Sequence, residues 1–213
     1  VRQDARRGTD SVFYFAHVFD GHYPYVPPLP ETDISNVDYA AMDKFIEYTT
    51  NRDYLELTTE DPISIDPDLL SLVKEYYRSS LEYVGSELAD FVATLKRQNM
   101  YEDSLIIVTG DHGEDFFERN FLFHNSLLDA NIRPGLIVKP PADSDLDIPD
   151  DANTIDFYPT IANAVGVDVP NHCRGNAWMP DRPEEPRITE RLLDTYNVSV
   201  ERDGVKGIFT CAE

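Results

Sequence analysis

Apolar positions along this chain predict one long helix. From Leu70 to Leu95 they recur at spacings of three and four, which is typical of an amphipathic helix of about seven turns. Asp66 and Pro67 just before this run supply an N-cap and a first-turn proline. The stripe consists of Leu70, Val73, Tyr77, Leu81, Val84, Leu88, Phe91 and Leu95.

Three apolar runs predict buried strands. They are SVFYFAHVF (11–19), LIIV (105–108) and GLIVK (135–139). The run at 105–108 is continuously aliphatic, which is typical of a strand covered on both faces, as in a parallel sheet. Because the long helix feeds directly into this strand, the order indicates half of a βαβ unit and therefore an α/β fold.

The carboxyl-terminal part of the chain predicts smaller elements. Residues 156–165 predict a helix that Gly166 ends, and residues 170–187 predict irregular structure. Residues 197–201 and 205–210 predict a hairpin around Asp203-Gly204. We therefore expect an α/β domain at 11–170, a carboxyl-terminal segment with a hairpin at 171–213, and a linker or frayed end at 1–10.

Charge narrows the choice of partners. The 213 residues include 18 basic and 40 acidic side chains, a net charge of −22. Acidic residues spread along the chain, with arginine outnumbering lysine, are typical of proteins from salt-loving archaea; the alternative is an acidic mesophilic protein. No basic stripe is present, so a nucleic-acid partner is disfavoured. No apolar run reaches the ~18–20 residues of a transmembrane helix.

The segment LIIVTGDHGEDF (105–116) is the strongest candidate for a site. Polar groups after a buried strand lie where α/β sheets bind ligands. Asp111 and His112 therefore predict either an oxygen-plus-nitrogen metal site or an acid–base pair. The structural alternative is a strand cap beside a surface histidine. Cys173 and Cys211 provide no disulfide framework, which favours a reduced compartment.

Four segments in register resemble the sulfatase family of the alkaline phosphatase superfamily. They are FAHVFDGHYPYVPP (15–28), SLIIVTGDHGEDF (104–116), FHNSLLDANIRPGLIVKPP (123–141) and IDFYPTIANAVGVDVP (155–170). The resemblance implies an alkaline-phosphatase-like, mostly parallel sheet with flanking helices. It also implies that the amino-terminal strands of that sheet are missing here, while the small carboxyl-terminal hairpin is retained.

The resemblance implies a divalent metal site. Asp111 and His112 match the second half of the family's ligand set. One carboxylate and one imidazole suit Mg²⁺, Mn²⁺ or Zn²⁺, and suit Ca²⁺ less well because Ca²⁺ prefers oxygen ligands. A histidine at position 112, where many relatives carry Asn, shifts the expectation towards a softer ion.

Two further histidines match catalytic positions of the family. His22 and His124 are expected to contact the ester oxygens or the leaving group, although either could be a packed or loop histidine. Asp20 is expected to orient His22, with a plain turn residue as the alternative. Glu114 is a candidate for a supporting role beside the metal, but Glu114 and Asp115 are more simply interpreted as a solvated turn.

The family's nucleophile is absent. It is a Cys or Ser in a C/S-x-P-S-R segment, the Cys being oxidised to formylglycine, and neither Cys173 nor Cys211 has that context. We expect formylglycine only in a missing amino-terminal part. The chain is therefore interpreted as the carboxyl-terminal part of a larger enzyme: a fragment, a truncated gene product, or half of a split protein whose amino-terminal half is a separate chain. Alone, it is predicted to be inactive.

The function implied by the resemblance is metal-assisted hydrolysis of a small-molecule or glycan sulfate ester in the full-length parent. One alternative is phosphodiester or phosphonate monoester hydrolysis, or phosphoethanolamine transfer, by the same superfamily. The other is a degenerate, non-catalytic module. The sequence leaves the cellular location open, with the cytoplasm of a halophile favoured.

Overall fold

The computed structural model describes residues 12–23, 25, 40, 66–118, 122–124, 126–192 and 196–211, apart from the side chains of Leu122 and Cys211. Short connections join its helices and strands, and a 3₁₀ turn at Thr154–Asp156 leads into the third helix. In chain order the elements are α1 (Pro67–Arg97), β1 (Ile106–Thr109), β2 (Asp115–Phe116), β3 (Leu122–Phe123), α2 (Asp129–Ile132), β4 (Leu136–Lys139), α3 (Phe157–Ala164), β5 (Arg187–Leu192), β6 (Tyr196–Arg202) and β7 (Val205–Cys211).

Helix α1 confirms the periodicity prediction. Asp66 caps it, its side chain accepting a hydrogen bond from the Asp68 amide at 2.9 Å. Only the amino-terminal half of its inner face is well covered: Val73 and Ser80 are buried there, whereas Phe91 is exposed. Although long, α1 is not apolar enough to cross a bilayer, nor is any other helix in the described part of the chain.

The described strands pair only in antiparallel fashion. β1 pairs with β4, β2 with β3, and β5, β6 and β7 form a three-stranded meander. The expectation of a parallel, doubly covered strand at 105–108 is therefore not met within the described residues. The connection through α2 returns the chain beside β1 in the opposite direction as β4, and β1 is half-buried rather than fully covered.

Residues 12–19 do not form the predicted strand. They have no strand ladder, and their side chains are exposed, as at Phe13 (68%) and Phe15 (75%). A strand needs a neighbour to pair its amide and carbonyl groups, and the described residues offer none beside this segment. Apolar composition alone therefore mispredicted this element.

The main core lies between α1, the Tyr25 turn and the β2–β3 hairpin. Its aromatic rings meet at angles that favour edge contacts; Tyr25 and Tyr77, for example, are 5.3 Å apart at 78°. Because the core joins three segments distant in sequence, it fixes the turn before residue 26 against the loop after β1. The buried members are Tyr25, Val73, Tyr76, Phe116 and Phe123.

A second packed unit surrounds Trp178. The predicted helix at 156–165 is confirmed as α3, and Gly166 follows it with a positive φ of 69°. Trp178 is fully buried, with its ring edge-on to Phe157 at 5.5 Å. Asp156 accepts a hydrogen bond from the Asn176 amide at 2.9 Å, which ties the irregular 170–187 segment to the start of α3.

The predicted hairpin is confirmed as β6–β7, with positive φ at Asp203 and Gly204 in its turn. A third strand, β5, was not predicted. Lys206 joins this sheet to the region before α2, because its ammonium group donates to the Leu127 carbonyl at 2.6 Å and to Asp129 at 2.7 Å. The hydrogen bond from Lys206 lowers the pKa of Asp129.

Gly175 permits the closest backbone approach in the Trp178 unit. A Cβ at position 175 would lie 1.9 Å from the Ile155 carbonyl oxygen. We expect Gly175→Ala to lower the free energy of unfolding by about 2–3 kcal/mol, because the backbone must separate. Urea denaturation followed by tryptophan fluorescence measures this at Trp178.

The matched control is Gly85→Ala in α1, where an added Cβ has no neighbour within 4 Å. We expect it to stabilise the chain by about 0.5–1 kcal/mol, because alanine favours helix over glycine. Equal urea midpoints for the two variants would contradict the packing argument at Gly175.

Candidate functional site

The loop after β1 is held close to α2. Gly113 donates its amide hydrogen to the Asn131 carbonyl oxygen at 2.6 Å. A Cβ at position 113 would lie 2.0 Å from the Ala130 carbonyl oxygen, so only glycine permits this approach. The contact places residues 111–114, Asp-His-Gly-Glu, beside the segment that contains His124.

Three histidines from distant parts of the sequence meet at this loop. The His112 and His124 rings stack with centroids 4.0 Å apart and an angle of 25°, and the centroids of His22 and His124 are 6.2 Å apart. His22 is exposed, while the other two are partly buried. We call His22, His112 and His124 the histidine cluster. It brings His124 beside the other predicted catalytic histidine, His22, and beside the predicted imidazole ligand, His112.

Each ring of the histidine cluster has its Nδ1 atom beside an oxygen that can only accept. His22 Nδ1 lies 2.7 Å from the Tyr23 carbonyl, and His112 Nδ1 lies 2.9 Å from the Gly113 carbonyl. His124 Nδ1 lies 3.2 Å from a carboxylate oxygen of Glu114. A ring nitrogen at hydrogen-bonding distance from such an oxygen has to donate, so this geometry favours the tautomer that carries its hydrogen on Nδ1. All three Nε2 atoms are then chemically able to accept a proton or a metal.

Glu114 is an internal acceptor. Its side chain is 7% exposed, and its other carboxylate oxygen accepts a hydrogen bond from the Tyr25 hydroxyl at 2.8 Å. Asp115 is also buried, and burial, followed by the effect of Glu118, raises its pKa. The interpretation of Glu114 and Asp115 as a solvated turn is therefore wrong, because both side chains are largely shielded from water and Asp115 begins strand β2.

Tyr25 is held in an unusual conformation. It is fully buried with a φ of 59°, uncommon for a large side chain. The Ser80 hydroxyl on α1 donates to its carbonyl at 3.0 Å, and its own amide donates to the His22 carbonyl at 3.1 Å. Burial raises the pKa of Tyr25 above its ordinary range, and the Glu114 carboxylate raises it further. The hydroxyl therefore remains protonated and serves as a donor.

Asp111 and His112 supply two donors for a metal ion. Asp111 Oδ1 lies 3.7 Å from His112 Nε2, and the Asp111 side chain is 85% exposed. The His112 hydrogen bond to a backbone carbonyl is the arrangement that commonly orients metal-binding imidazoles. Within the described residues, however, no group of three or more His, Cys, Asp or Glu side chains could hold an ion. Asp111 and His112 therefore offer two possible donors, which do not by themselves complete a metal site.

Asp20 lies in the same turn as His22. The His22 ring is positioned by its Nδ1 contact with the Tyr23 carbonyl and by stacking on Phe19 at 4.5 Å. A role for Asp20 in orienting this ring remains a prediction.

Asn131 has a supporting role that the sequence pattern did not indicate. It is 2% exposed, and its amide nitrogen donates to the Phe123 carbonyl at 2.8 Å. Its side-chain oxygen accepts from the Ser126 amide at 2.8 Å and the Ser126 hydroxyl at 2.6 Å. Phe123 immediately precedes His124 and has a positive φ of 65°. Asn131 thus fixes the backbone that presents His124.

The sulfatase family model matches residues 2–167, so the chain belongs to the sulfatase family. Arylsulfatase K of Rattus norvegicus is 24% identical over 109 residues, covering 51% of this chain and 19% of that protein. The lipoteichoic acid synthase of Staphylococcus saprophyticus is 27% identical over 154 residues, covering 64% of this chain and 23% of that protein. The chain thus spans about a fifth of the length of these curated relatives.

Two solved structures show the fold. A protein in complex with its substrate D-glucosamine-2-N,6-O-disulfate superposes with a TM-score of 0.58 at 15% identity, covering 77% of this chain and 35% of that chain. The phosphonate monoester hydrolase of Silicibacter pomeroyi superposes with a TM-score of 0.56 at 20% identity, covering 87% and 43%. The predicted α/β, alkaline-phosphatase-like fold class is therefore confirmed, with part of the fold represented here.

Asn131→Ala tests the support beneath the histidine cluster. We expect the variant to lose about 3 kcal/mol of unfolding free energy, because it leaves the Phe123 carbonyl and the Ser126 amide without their partner. The matched control is Asn163→Ala at an exposed position of α3, which is expected to change stability by less than about 0.5 kcal/mol. Urea unfolding measures both, and similar values would contradict the role of Asn131.

Proposed function

We propose that this sulfatase-family hydrolase chain carries the ester-contacting side of a sulfate ester hydrolysis site. His22 and His124 contact the ester group, and Asp111 and His112 provide half of a divalent metal site. The observation that supports this proposal best is the histidine cluster, in which the His124 ring lies near both His112 and His22, the latter 102 positions earlier in the sequence.

The ring chemistry suits contact with an anionic ester. In a chain of net charge −22, an approaching sulfate ester is repelled unless local donors offset the field. An imidazole can donate a hydrogen bond near neutral pH. Each ring of the histidine cluster is held by a contact between its Nδ1 atom and a protein oxygen. In this proposal the Nε2 atom of His22 or His124, once protonated, donates a hydrogen bond to a non-bridging oxygen or transfers its proton to the departing alkoxide.

The metal would be shared with donors beyond the described residues. Asp111 and His112 are adjacent and lie on the same loop as the histidine cluster. A divalent ion held there would supply positive charge beside the ester. The ion's identity is left open among Ca²⁺, Mg²⁺, Mn²⁺ and Zn²⁺, with the imidazole favouring a softer ion over Ca²⁺.

Hydrolysis of a phosphonate monoester or a related phosphate ester is the second candidate. Its support is the phosphonate monoester hydrolase structure, which covers 87% of this chain, and the lipoteichoic acid synthase relative. The histidine cluster serves either ester, because sulfate and phosphonate present similar tetrahedral oxygens.

We further propose that the 213 residues alone do not turn over ester, because neither cysteine lies in a C-x-P-S-R segment.

Substitution of the two proposed catalytic histidines tests the reaction. In the protein produced in its native host, His22→Gln and His124→Gln are each expected to lower kcat/KM for an aryl sulfate by about 10²–10⁴-fold, because the ester loses an acid–base partner. His172→Gln, at an exposed position, is the control and should leave the rate unchanged.

The same preparations are assayed with an aryl phosphonate monoester. A kcat/KM that is higher for the phosphonate than for the aryl sulfate would favour the second candidate function, phosphonate monoester hydrolysis. No effect of His22→Gln or His124→Gln on an active preparation would remove these residues from the mechanism. No turnover of either ester by the native-host protein would favour a degenerate module.

The metal proposal predicts a loss of affinity on removal of either donor. Asp111→Ala and His112→Ala are each expected to weaken Mn²⁺ or Zn²⁺ binding to the native-host protein by more than about 100-fold, since supporting partners alone are worth about 10–100-fold. Isothermal titration calorimetry measures this, with Asp168→Ala as an exposed control. Unchanged affinity in both variants would place the metal elsewhere.

A further inference from the structure

Two side chains that the proposed ester chemistry does not use directly, Tyr25 and Glu114, form a chain of hydrogen bonds that ends at His124. We propose that Tyr25 and Glu114 form a positioning pair that fixes the tautomer and ring orientation of His124. This inference deepens the proposed function and rests on it for the role of His124. The pair itself is defined by two contacts: Tyr25 hydroxyl to Glu114 at 2.8 Å, and Glu114 to His124 Nδ1 at 3.2 Å.

Because the Glu114 side chain is buried, its hydrogen bonds to protein groups replace those it would make with water. A carboxylate that is 7% exposed has little access to water, so its oxygens depend on protein donors. The Tyr25 hydroxyl supplies one donor and His124 Nδ1–H supplies the other, one for each carboxylate oxygen. If His124 adopted the other tautomer, Nδ1 would present a lone pair to a carboxylate oxygen, which is repulsive. The pair therefore favours the Nδ1–H tautomer, in which the lone pair lies on Nε2.

His124 differs in this respect from its two neighbours. The Nδ1 atoms of His22 and His112 face neutral backbone carbonyls, whereas that of His124 faces a carboxylate. The stack on His112 constrains the plane of the His124 ring, and Glu114 constrains its rotation within that plane.

Tyr25 is anchored well enough to act as the fixed end of the pair. Its ring packs edge-on to Tyr23 and Tyr77, its carbonyl is held by Ser80, and its backbone is locked at a positive φ. The Tyr25 hydroxyl therefore does not follow movements of the loop after β1. Through its hydrogen bond to Glu114, the fixed Tyr25 hydroxyl restricts His124, which lies 99 residues later in the chain.

Nitrogen NMR of the histidine side chains in the metal-free 213-residue chain tests the pair. With ¹⁵N-labelled histidine, we expect His124 at neutral pH to be predominantly the Nδ1–H tautomer, with that proton shifted downfield and slow to exchange. Tyr25→Phe keeps the ring packing but is expected to speed exchange of the Nδ1 proton about tenfold. Glu114→Gln is expected to move the proton resonance upfield, because an amide oxygen is a weaker acceptor than a carboxylate oxygen.

Matched controls separate positioning from general destabilisation. Tyr158→Phe and Glu184→Gln lie at exposed positions and should leave the His124 signals unchanged, and the exposed His172 serves as the reference within each sample. A wild-type His124 found mainly as the Nε2–H tautomer would overturn the proposal, whether or not the variants fold. So would folded Tyr25→Phe and Glu114→Gln variants with unchanged His124 signals.

The result is independent of the proposed function. The NMR measurement needs neither metal nor turnover, so a failure of the ester assays would leave the tautomer result standing. Conversely, histidine-dependent ester hydrolysis together with an Nε2–H tautomer at His124 would remove only the positioning pair.

Discussion

The contact between Gly113 and the Ala130–Asn131 backbone is the constraint on which the candidate site depends. It brings the loop after β1 within 2.6 Å of α2, and no residue with a Cβ fits there. Asn131 then uses its side chain to hold the backbone on either side of His124. One close approach therefore sets the distance between His112 and His124, and the stacking of their rings follows from it.

A second constraint is the burial of carboxylates in a chain that is already strongly acidic. Glu114 and Asp115 lie next to each other and both are buried, which is unfavourable for two negative charges. The Tyr25 hydroxyl and the His124 ring compensate Glu114, whereas burial, followed by the effect of Glu118, raises the pKa of Asp115. The unfavourable burial is concentrated where the histidines meet, as is common at functional sites.

The elements predicted best from sequence were those with a local signal. The Asp66 cap and the apolar stripe defined α1, and Asp203-Gly204 defined the β6–β7 turn. Residues 12–19 were mispredicted because the stability of a strand depends on its neighbours, which composition does not report. Asp111 and His112 could be singled out from their position after the apolar run at 105–108, and His22 and His124 because a family resemblance marks them. The resemblance marked neither Tyr25 as a donor nor Asn131, because their roles arise only from contacts across 89 and 8 positions.

The two sides of the candidate site differ in how many contacts hold their side chains in place. This chain contributes a densely connected side, in which Tyr25, Glu114, His124 and His112 constrain one another through direct contacts. The metal side is sparse by comparison, with an exposed Asp111 next to His112 and no further ligand within the described residues. A preorganised set of donors retains its geometry without an ion, whereas two ligands alone do not bind one tightly. Under the proposed function, the hydrogen bond to Glu114 would hold His124 in place before an ion binds, and the stack of His124 on His112 would connect this side of the site to the proposed metal side.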